Sequence, residues 1–374
     1  MARNRLGLVL TGGTIGSTSS DDAEVVRLVR GQGAGGMPGW LAGPLAAFGP
    51  HQLTLRRPIE LHSEEARPAD WEAIATACRR LAERGAEAIC VLHGSDTMGY
   101  TAAALSFALA DLAVPVVLTG SNLPPDHPES DARNNVRQAI TALRTLPAGV
   151  YLIFAGTADG DALVHLGTRV RKHRASGEAF VSPNGGPVAR VVDGRLRRLA
   201  PWPLPAPPPN APTVARFDPR VLELRVHPGM PFAALEQAVV AGDLRGIAVE
   251  LYPCATGPTG SDDASLERFA RFVGGRGGVV VATVAAAPDV AGSYYPSLPT
   301  LTEAGISFLP GVLTATATVK LMWALATADG DPARVRQLLR RPIAGEAAPL
   351  GRRPASTATT LAAGPAAALG RSRR

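Results

Sequence analysis

Leu6–Ser17 reads LGLVLTGGTIGS: a short apolar run that stops at a threonine and two glycines. A run of that length is a buried strand, and paired glycines let the backbone leave it sharply and bring amide groups close to a ligand. Thr14 follows the glycines with its hydroxyl presented at the turn. The same pattern, an apolar run ending in small polar residues, recurs at Ala88–Thr97 (AICVLHGSDT), Pro115–Asn122 (PVVLTGSN) and Val150–Thr157 (VYLIFAGT). Helical stretches lie between the runs. In Asp70–Gly85 (DWEAIATACRRLAERG), Trp71, Ile74, Cys78 and Leu81 fall at helical spacing and Gly85 ends the pattern. Alternation of this kind predicts an α/β fold built on a parallel sheet with crossover helices. In such sheets ligands bind beyond the carboxyl ends of the strands, so the polar strand ends are where a site is sought.

At Ala200–Pro212 the composition changes to APWPLPAPPPNAP, a segment that can continue neither a helix nor a central strand and reads as a stiff linker. A second, shorter α/β pattern follows. Leu244–Pro253 and Gly277–Ala285 read as strands, Asp262–Gly275 and Ala317–Ala328 as helices. A last helix opens with Asp331 as cap and Pro332 at its first position. The expected organisation is a larger N-terminal α/β domain over 1–199, the linker over 200–212 and a smaller C-terminal α/β domain over 213–342. The alanine-, glycine- and proline-rich tail, 343–374, is expected to be disordered.

Composition excludes several classes. The 374 residues are 46% hydrophobic and 19% charged, which suits a soluble globular protein. No apolar run approaches the roughly 20 residues that cross a bilayer. The run LGLVL is too short for a signal segment, so a cytoplasmic location is expected. Three scattered cysteines give neither a disulfide framework nor a metal-ligand spacing, and no cofactor motif is met, since the glycines of TGGT are followed by no phosphate-binding lysine. The net charge of +6 lies in arginine-rich stretches without interleaved aromatics, which argues against nucleic acid as the main partner.

Among 38 lysines and arginines only two are lysines, Lys172 and Lys320. Lys172 sits inside RVRKHR, where arginine would have supplied charge alone. A desolvated lysine can exchange a proton, and arginine effectively cannot. Other candidates stand at the strand ends: Ser95 and Asp96 before a helical run, and Ser63 and Glu64 in IELHSEEARPADW. Alone, Ser95 and Asp96 read more often as a helix cap, and Ser63 and Glu64 as readily as one. Three strand ends presenting hydroxyls and carboxylates to one crevice are harder to explain as independent caps.

TGGTI near the N-terminus and HGSDTM near residue 95 resemble the two signatures of the bacterial asparaginase and glutaminase family, whose usual second motif reads HGTDTM. HSEEARPADW resembles the substrate-binding turn and helix, TGSNLPPDHPESDARNNVRQA the loop before the next helix, and VKLMWAL with GDPARVRQLL the C-terminal helices. The resemblance runs over roughly residues 5 to 340 and is nearest the cytoplasmic type. It implies a two-domain α/β fold assembled as homodimers or homotetramers. It also implies hydrolysis of the side-chain amide of asparagine through a covalent acyl intermediate on a threonine, without metal or cofactor.

Carried over, Thr14 is the nucleophile, and Ser95, Asp96 and Lys172 form the second hydroxyl, carboxylate and lysine set. Ser63 and Glu64 hold the substrate's carboxylate and amine, and backbone amides near Gly13 and Gly94 are candidate oxyanion donors. The lysine match needs a one-residue gap before Phe180. With the gap elsewhere, Arg171 takes that position. Two departures stand out. No tyrosine precedes Tyr100, where many members carry one on a mobile segment, and Gly311–Leu321 (GVLTATATVKL) lacks the acidic residues that flank a threonine pair in cytoplasmic relatives. Ser17 to Ser20, or Tyr294 and Tyr295, are candidates to replace the missing phenol. A relative acting on another or larger amide, and a catalytically silent binding protein, are the alternatives. A tRNA-dependent amidotransferase component shares the motifs but carries a further N-terminal domain, which the early first strand speaks against.

Overall fold

The computed structural model describes residues 4–19, 26–28, 37–46, 48, 52–199, 215–260, 263–284 and 295–347. Along the chain the strands of the first domain are β1 (Leu6–Leu10), β2 (Ser17–Ser19), β3 (Val26–Leu28), β4 (Leu53–Arg56), β5 (Ala88–Leu92), β6 (Pro115–Thr119), β7 (Gly149–Phe154), β8 (Ala162–Leu166), β9 (Arg171–Lys172), β10 (Phe180–Val181), β11 (Ala189–Val192) and β12 (Arg195–Arg198). Helices α1 (Pro68–Glu83), α2 (Met98–Ala108) and α3 (Ala132–Leu143) connect them. The second domain holds β13 (Val221–Arg225), α4 (Phe232–Ala241), β14 (Gly246–Leu251), α5 (Leu266–Gly275), β15 (Val279–Val284), α6 (Ser297–Glu303), β16 (Ser307–Phe308), α7 (Thr314–Thr327) and α8 (Pro332–Arg340).

Among the described residues the main sheet runs β12-β11-β8-β7-β6-β5-β1-β4. Its β4 to β7 half is parallel, as the alternating runs predict, and its central strands β1, β5 and β6 are buried throughout. Beyond β7 the sheet turns antiparallel through β8, β11 and β12, an extension that the alternating runs do not show. The cause is local. β8 follows β7 after a short polar loop with no helix to carry the chain back over the sheet, so a hairpin is the available connection.

The predicted helix appears as α1, with Trp71, Ile74, Cys78 and Leu81 all buried against the sheet. Gly85 ends it at φ +88°, a conformation that favours glycine. In the second domain β13 to β16 form a parallel sheet. Asp331 caps α8 by accepting a hydrogen bond from the Ala333 amide at 2.9 Å, with Pro332 at the first turn.

One apolar cluster spans both domains, beside a further cluster within each. Helix α7 packs against both α2 and the second sheet, and Phe107 of α2 stacks on Trp323 of α7 with ring centres 5.7 Å apart. Trp71 of α1 meets Phe217 edge to face at 5.5 Å. The proline segment, 200–212, lies outside the described residues. The expected disorder of the tail is corrected at its start. Ile343, Ala344 and Glu346 are buried, because the Glu346 carboxylate accepts from the amides of Ile343 and Ala344 and from Lys320. The remainder of that tail, 348–374, is outside the described residues.

Candidate active site

Gly12 and Gly13 take φ of +96° and +72° as the chain leaves β1, which lets the backbone turn across the sheet's carboxyl edge. The turn is fixed by ladders on both sides. Thr11 N donates to Leu92 O at 3.1 Å, Leu61 N to Thr11 O at 3.1 Å, and Gly13 N to Leu61 O at 2.9 Å. A Cβ on Gly13 would stand 2.3 Å from Gly94 Cα, so the turn after β1 lies directly against the turn after β5. Thr14 opens a short 3-10 turn, Thr14–Gly16, and is half-buried. Ser17 is buried and donates its hydroxyl to Gly13 O at 2.7 Å, which ties it to the turn.

Ser63 enters from the third strand end. β4 stops at Arg56, and Leu61 makes a single parallel bridge to Gly12 before Ser63 opens another 3-10 turn. The Ser63 hydroxyl accepts from the Asp96 amide at 3.3 Å, and its carbonyl accepts from Thr97 Oγ1 at 2.7 Å. Here too a glycine permits the approach, because a Cβ on Gly94 would lie 2.6 Å from Ser63 Oγ. Glu64 beside it is exposed. Among the described bonds, none of Ser63, Glu64, Ser95 and Asp96 uses its side chain to cap a helix. The residue before α2 is Thr97, whose hydroxyl makes no cap bond, and the one before α1 is Arg67, whose amide donates to Asp70 Oδ2 at 2.7 Å.

Ser95 and Asp96 stand just before α2, where the helix N-terminus favours a negative charge. Lys172 reaches both from β9, donating to Ser95 Oγ at 2.8 Å and to Asp96 Oδ1 at 2.7 Å. Its partner across the short ladder is Phe180, while exposed Arg171 pairs with Val181. Of the two candidates for the family's lysine position, it is Lys172 that meets Ser95 and Asp96.

His93 is a residue that the motif reading passed over. It is buried, with Nδ1 2.7 Å from Gly94 O and Nε2 3.0 Å from Thr101 Oγ1. A carbonyl only accepts, so Nδ1 carries the proton and Nε2 accepts from the threonine. Burial pushes the ring's pKa down, against the Gly94 carbonyl and the more distant charge of Asp70. His93 therefore holds the Gly94–Ser95 peptide as a neutral donor. The signal available in sequence was a histidine next to a glycine at the end of a buried strand.

On the far side of Lys172, a cavity of about 210 Å³ opens between the domains, lined by Asp96, Lys172, Tyr100, Glu223, Glu250 and Thr314 among others. Thr318 donates to Glu223 at 2.7 Å and Thr314 to Glu250 at 2.7 Å. Tyr100 lies 3.4 Å from both Glu223 oxygens, and burial, with the glutamate's charge, pushes its phenol up to about 12. No sequence pattern announced this carboxylate pair, because it is the pairing of β13 with β14 that brings Glu223 and Glu250 to the same cavity. Of the candidates for a lid hydroxyl, Tyr294 and Ser20 lie outside the described residues, and Tyr295 is half exposed at the start of α6. Among the described residues no group of His, Cys, Asp and Glu is placed to hold a metal ion, and no helix is long and apolar enough to cross a membrane.

At the carboxyl edge of a largely parallel sheet the chain thus presents a threonine turn, a buried serine turn and a serine, carboxylate and lysine cluster. The family profile described as "Asparaginase, N-terminal" matches residues 5–202, and the chain belongs to the asparaginase family. It is 30% identical over 362 residues to a glutamyl-tRNA(Gln) amidotransferase subunit of Saccharolobus islandicus, covering 93% of this chain and 77% of that protein. Against the corresponding amidotransferase subunit of Saccharolobus solfataricus the identity is 34% over 296 residues, 77% of this chain and 64% of the relative. The thermostable L-asparaginase from Thermococcus kodakarensis superposes with a TM-score of 0.73 at 28% identity, over 92% of this chain and 99% of that one. L-asparaginase I from Vibrio cholerae shares the fold at 24% identity, with a TM-score of 0.72 over 92% and 99% of the two chains.

Proposed function

We propose that the chain hydrolyses the side-chain amide of L-asparagine to aspartate and ammonia through an acyl-enzyme on Thr14. The observation that carries this reading is the ammonium of Lys172 held between Ser95 Oγ and Asp96 Oδ1, at the strand end pressed against the Thr14 turn. Amides are poor electrophiles, so the attacking hydroxyl must lose its proton as it attacks and the developing oxyanion must meet fixed donors. In this account Thr14 Oγ attacks the amide carbon, and its proton passes through the Ser95 and Lys172 set to the leaving nitrogen. The C–N bond then breaks and ammonia departs. Water attacks the resulting ester, gives a proton back to Thr14 Oγ by the same route, and aspartate leaves.

Ser63 is a hydrogen-bonding group for the substrate's α-carboxylate, and exposed Glu64 pairs with its α-amine. Backbone amides near Gly13 and Gly94 are the candidate oxyanion donors, and the mutual contact of those two glycines supports placing them at one reacting centre. The site works as part of a homo-oligomer in this reading, as the resemblance implies.

A second reading is favoured by the amidotransferase relatives. Their name places them in transfer to glutamyl-tRNA(Gln), so the same site in this chain would release ammonia for a partner protein. Ammonia release from asparagine, glutamine and a panel of larger amides, measured without any partner, separates the two. Turnover led by asparagine supports the proposal. Turnover led by glutamine, or appearing only with a partner protein and an aminoacyl-tRNA acceptor, supports the second reading. No release from any amide under either condition would leave a binding role.

A further inference from the structure

We infer that Thr168 and Arg169, clamped to the C-terminal turn Ala344–Ala347, are positioning residues for Lys172. The inference rests on the proposed role of Lys172 and goes beyond it. β9, which carries Lys172, contains only Arg171 and Lys172 and has one short partner strand, so its own ladder cannot fix where a long side chain ends. What precedes it is held more firmly. Thr168 Oγ1 donates to Ala344 O at 3.0 Å, while the Arg169 guanidinium donates from Nε to Gly345 O at 2.6 Å and from Nη2 to Ala347 O at 2.8 Å. The Thr168 carbonyl in turn accepts from Thr316 Oγ1 of α7 at 2.9 Å. Thr168, Arg169 and Val170 are all buried, and a Cβ on Gly99 of α2 would come 3.1 Å from Val170 O. The lead-in to Lys172 is thus gripped by three separate elements.

The turn that does the gripping is itself fixed by the second lysine. Lys320 is buried and donates to Leu339 O at 2.8 Å, Arg341 O at 2.7 Å and Glu346 Oε1 at 2.5 Å, while Glu346 accepts from the amides of Ile343 and Ala344. A buried arginine spending its fork on two main-chain carbonyls is a device for geometry, since a planar guanidinium loses little freedom for each bond it makes. Proton relay is sensitive to displacements of about 1 Å, so the rigidity of this lead-in has a catalytic consequence.

Only two lysines exist in the chain, so lysine labelled with 13C at the ε carbon gives two resonances, and Lys172→Arg assigns them. The experiment compares full-length wild type, Arg169→Gln and the milder Thr168→Val, which keeps shape and loses one bond, by this spectrum and by turnover on the best amide. The clamp predicts that the Lys172 resonance moves or broadens in both variants. It also predicts that kcat falls by about tenfold in Arg169→Gln, roughly 1.4 kcal/mol, with KM changed much less. An unmoved Lys172 resonance, with or without loss of turnover, would overturn the clamp, and so would full turnover in both variants. Should Arg169→Gln fail to fold, Thr168→Val decides on the same two readings. Full activity in Lys172→Arg is a separate outcome that removes the role of Lys172 itself.

Discussion

Lys172 Nζ lies 2.8 Å from Ser95 Oγ, joining two residues 77 positions apart in sequence at the mouth of the sheet. Replacing Lys172 by arginine keeps the charge and loses the capacity to exchange a proton. Turnover on the best amide is expected to fall by about a hundredfold or more, within the range that acid–base groups supply. Arg171→Lys, at an exposed position whose strand partner is Val181, is expected to change turnover by less than about twofold; steady-state kinetics on the two variants checks both.

The glycine contacts make a steric prediction. Gly94→Ala places a methyl 2.6 Å from Ser63 Oγ, so the serine must turn away and the strand ends part. Substrate binding through Ser63 weakens, and KM is expected to rise with a smaller loss in kcat. Gly13→Ala is harsher, because its φ is +72° and its new methyl meets Gly94 backbone at 2.3 Å. It is expected to lose most activity and about 1–3 kcal/mol of stability, read from urea unfolding.

Two buried histidines contribute to the response to acid, beside carboxylates such as Asp111 and Asp218 whose arginine partners lower them. Burial pushes His165 down to about 4 from its ordinary 6.5, with Nδ1 2.8 Å from Ser182 Oγ, and His93 is lowered in the same direction. Below about pH 6.5 the unfolded chain takes up protons that the folded chain refuses, so stability falls as pH drops from 6.5 toward 4. His165 alone contributes about 3 kcal/mol across that window. Urea midpoints at several pH values, compared between wild type and His165→Gln, isolate it: the variant's decline over this range is expected to be shallower.

The buried Lys320 and Glu346 pair predicts an asymmetry. Lys320→Met leaves a buried carboxylate without its cation and is expected to cost about 3–5 kcal/mol, whereas Lys320→Met with Glu346→Leu removes the unpaired charge but recovers only part of the loss, because the Ile343 and Ala344 amides and the Leu339 and Arg341 carbonyls also lose their partners. Thermal melts of the single and double variants test it.

How much of this was legible in sequence follows from the range of the interactions involved. The strand runs around Leu8, Val91 and Val117 and the helix at Trp71 to Leu81 were readable, because their burial follows directly from local periodicity. Thr14, Ser63 and Ser95 were readable as strand ends, and the contact between Gly13 and Gly94 explains why those ends needed glycine. Choosing between Arg171 and Lys172 was beyond sequence, since the register of a two-residue strand against Phe180 and Val181 carries no periodic signal. The antiparallel turn at β8 was missed because a short apolar run looks the same in either direction. The packed start of the tail was missed because its burial depends on one carboxylate, Glu346, meeting a lysine 26 residues away.

The central claim is that Thr14 carries the acyl group. Its most direct test is mass spectrometry of enzyme mixed with the best amide and quenched in acid within the first turnovers. The account predicts an added acyl mass on the peptide that contains Thr14, absent from Thr14→Ala, which should remain folded and release almost no ammonia. Steady ammonia release with no adduct on that peptide, or near wild-type release by Thr14→Ala, would contradict it.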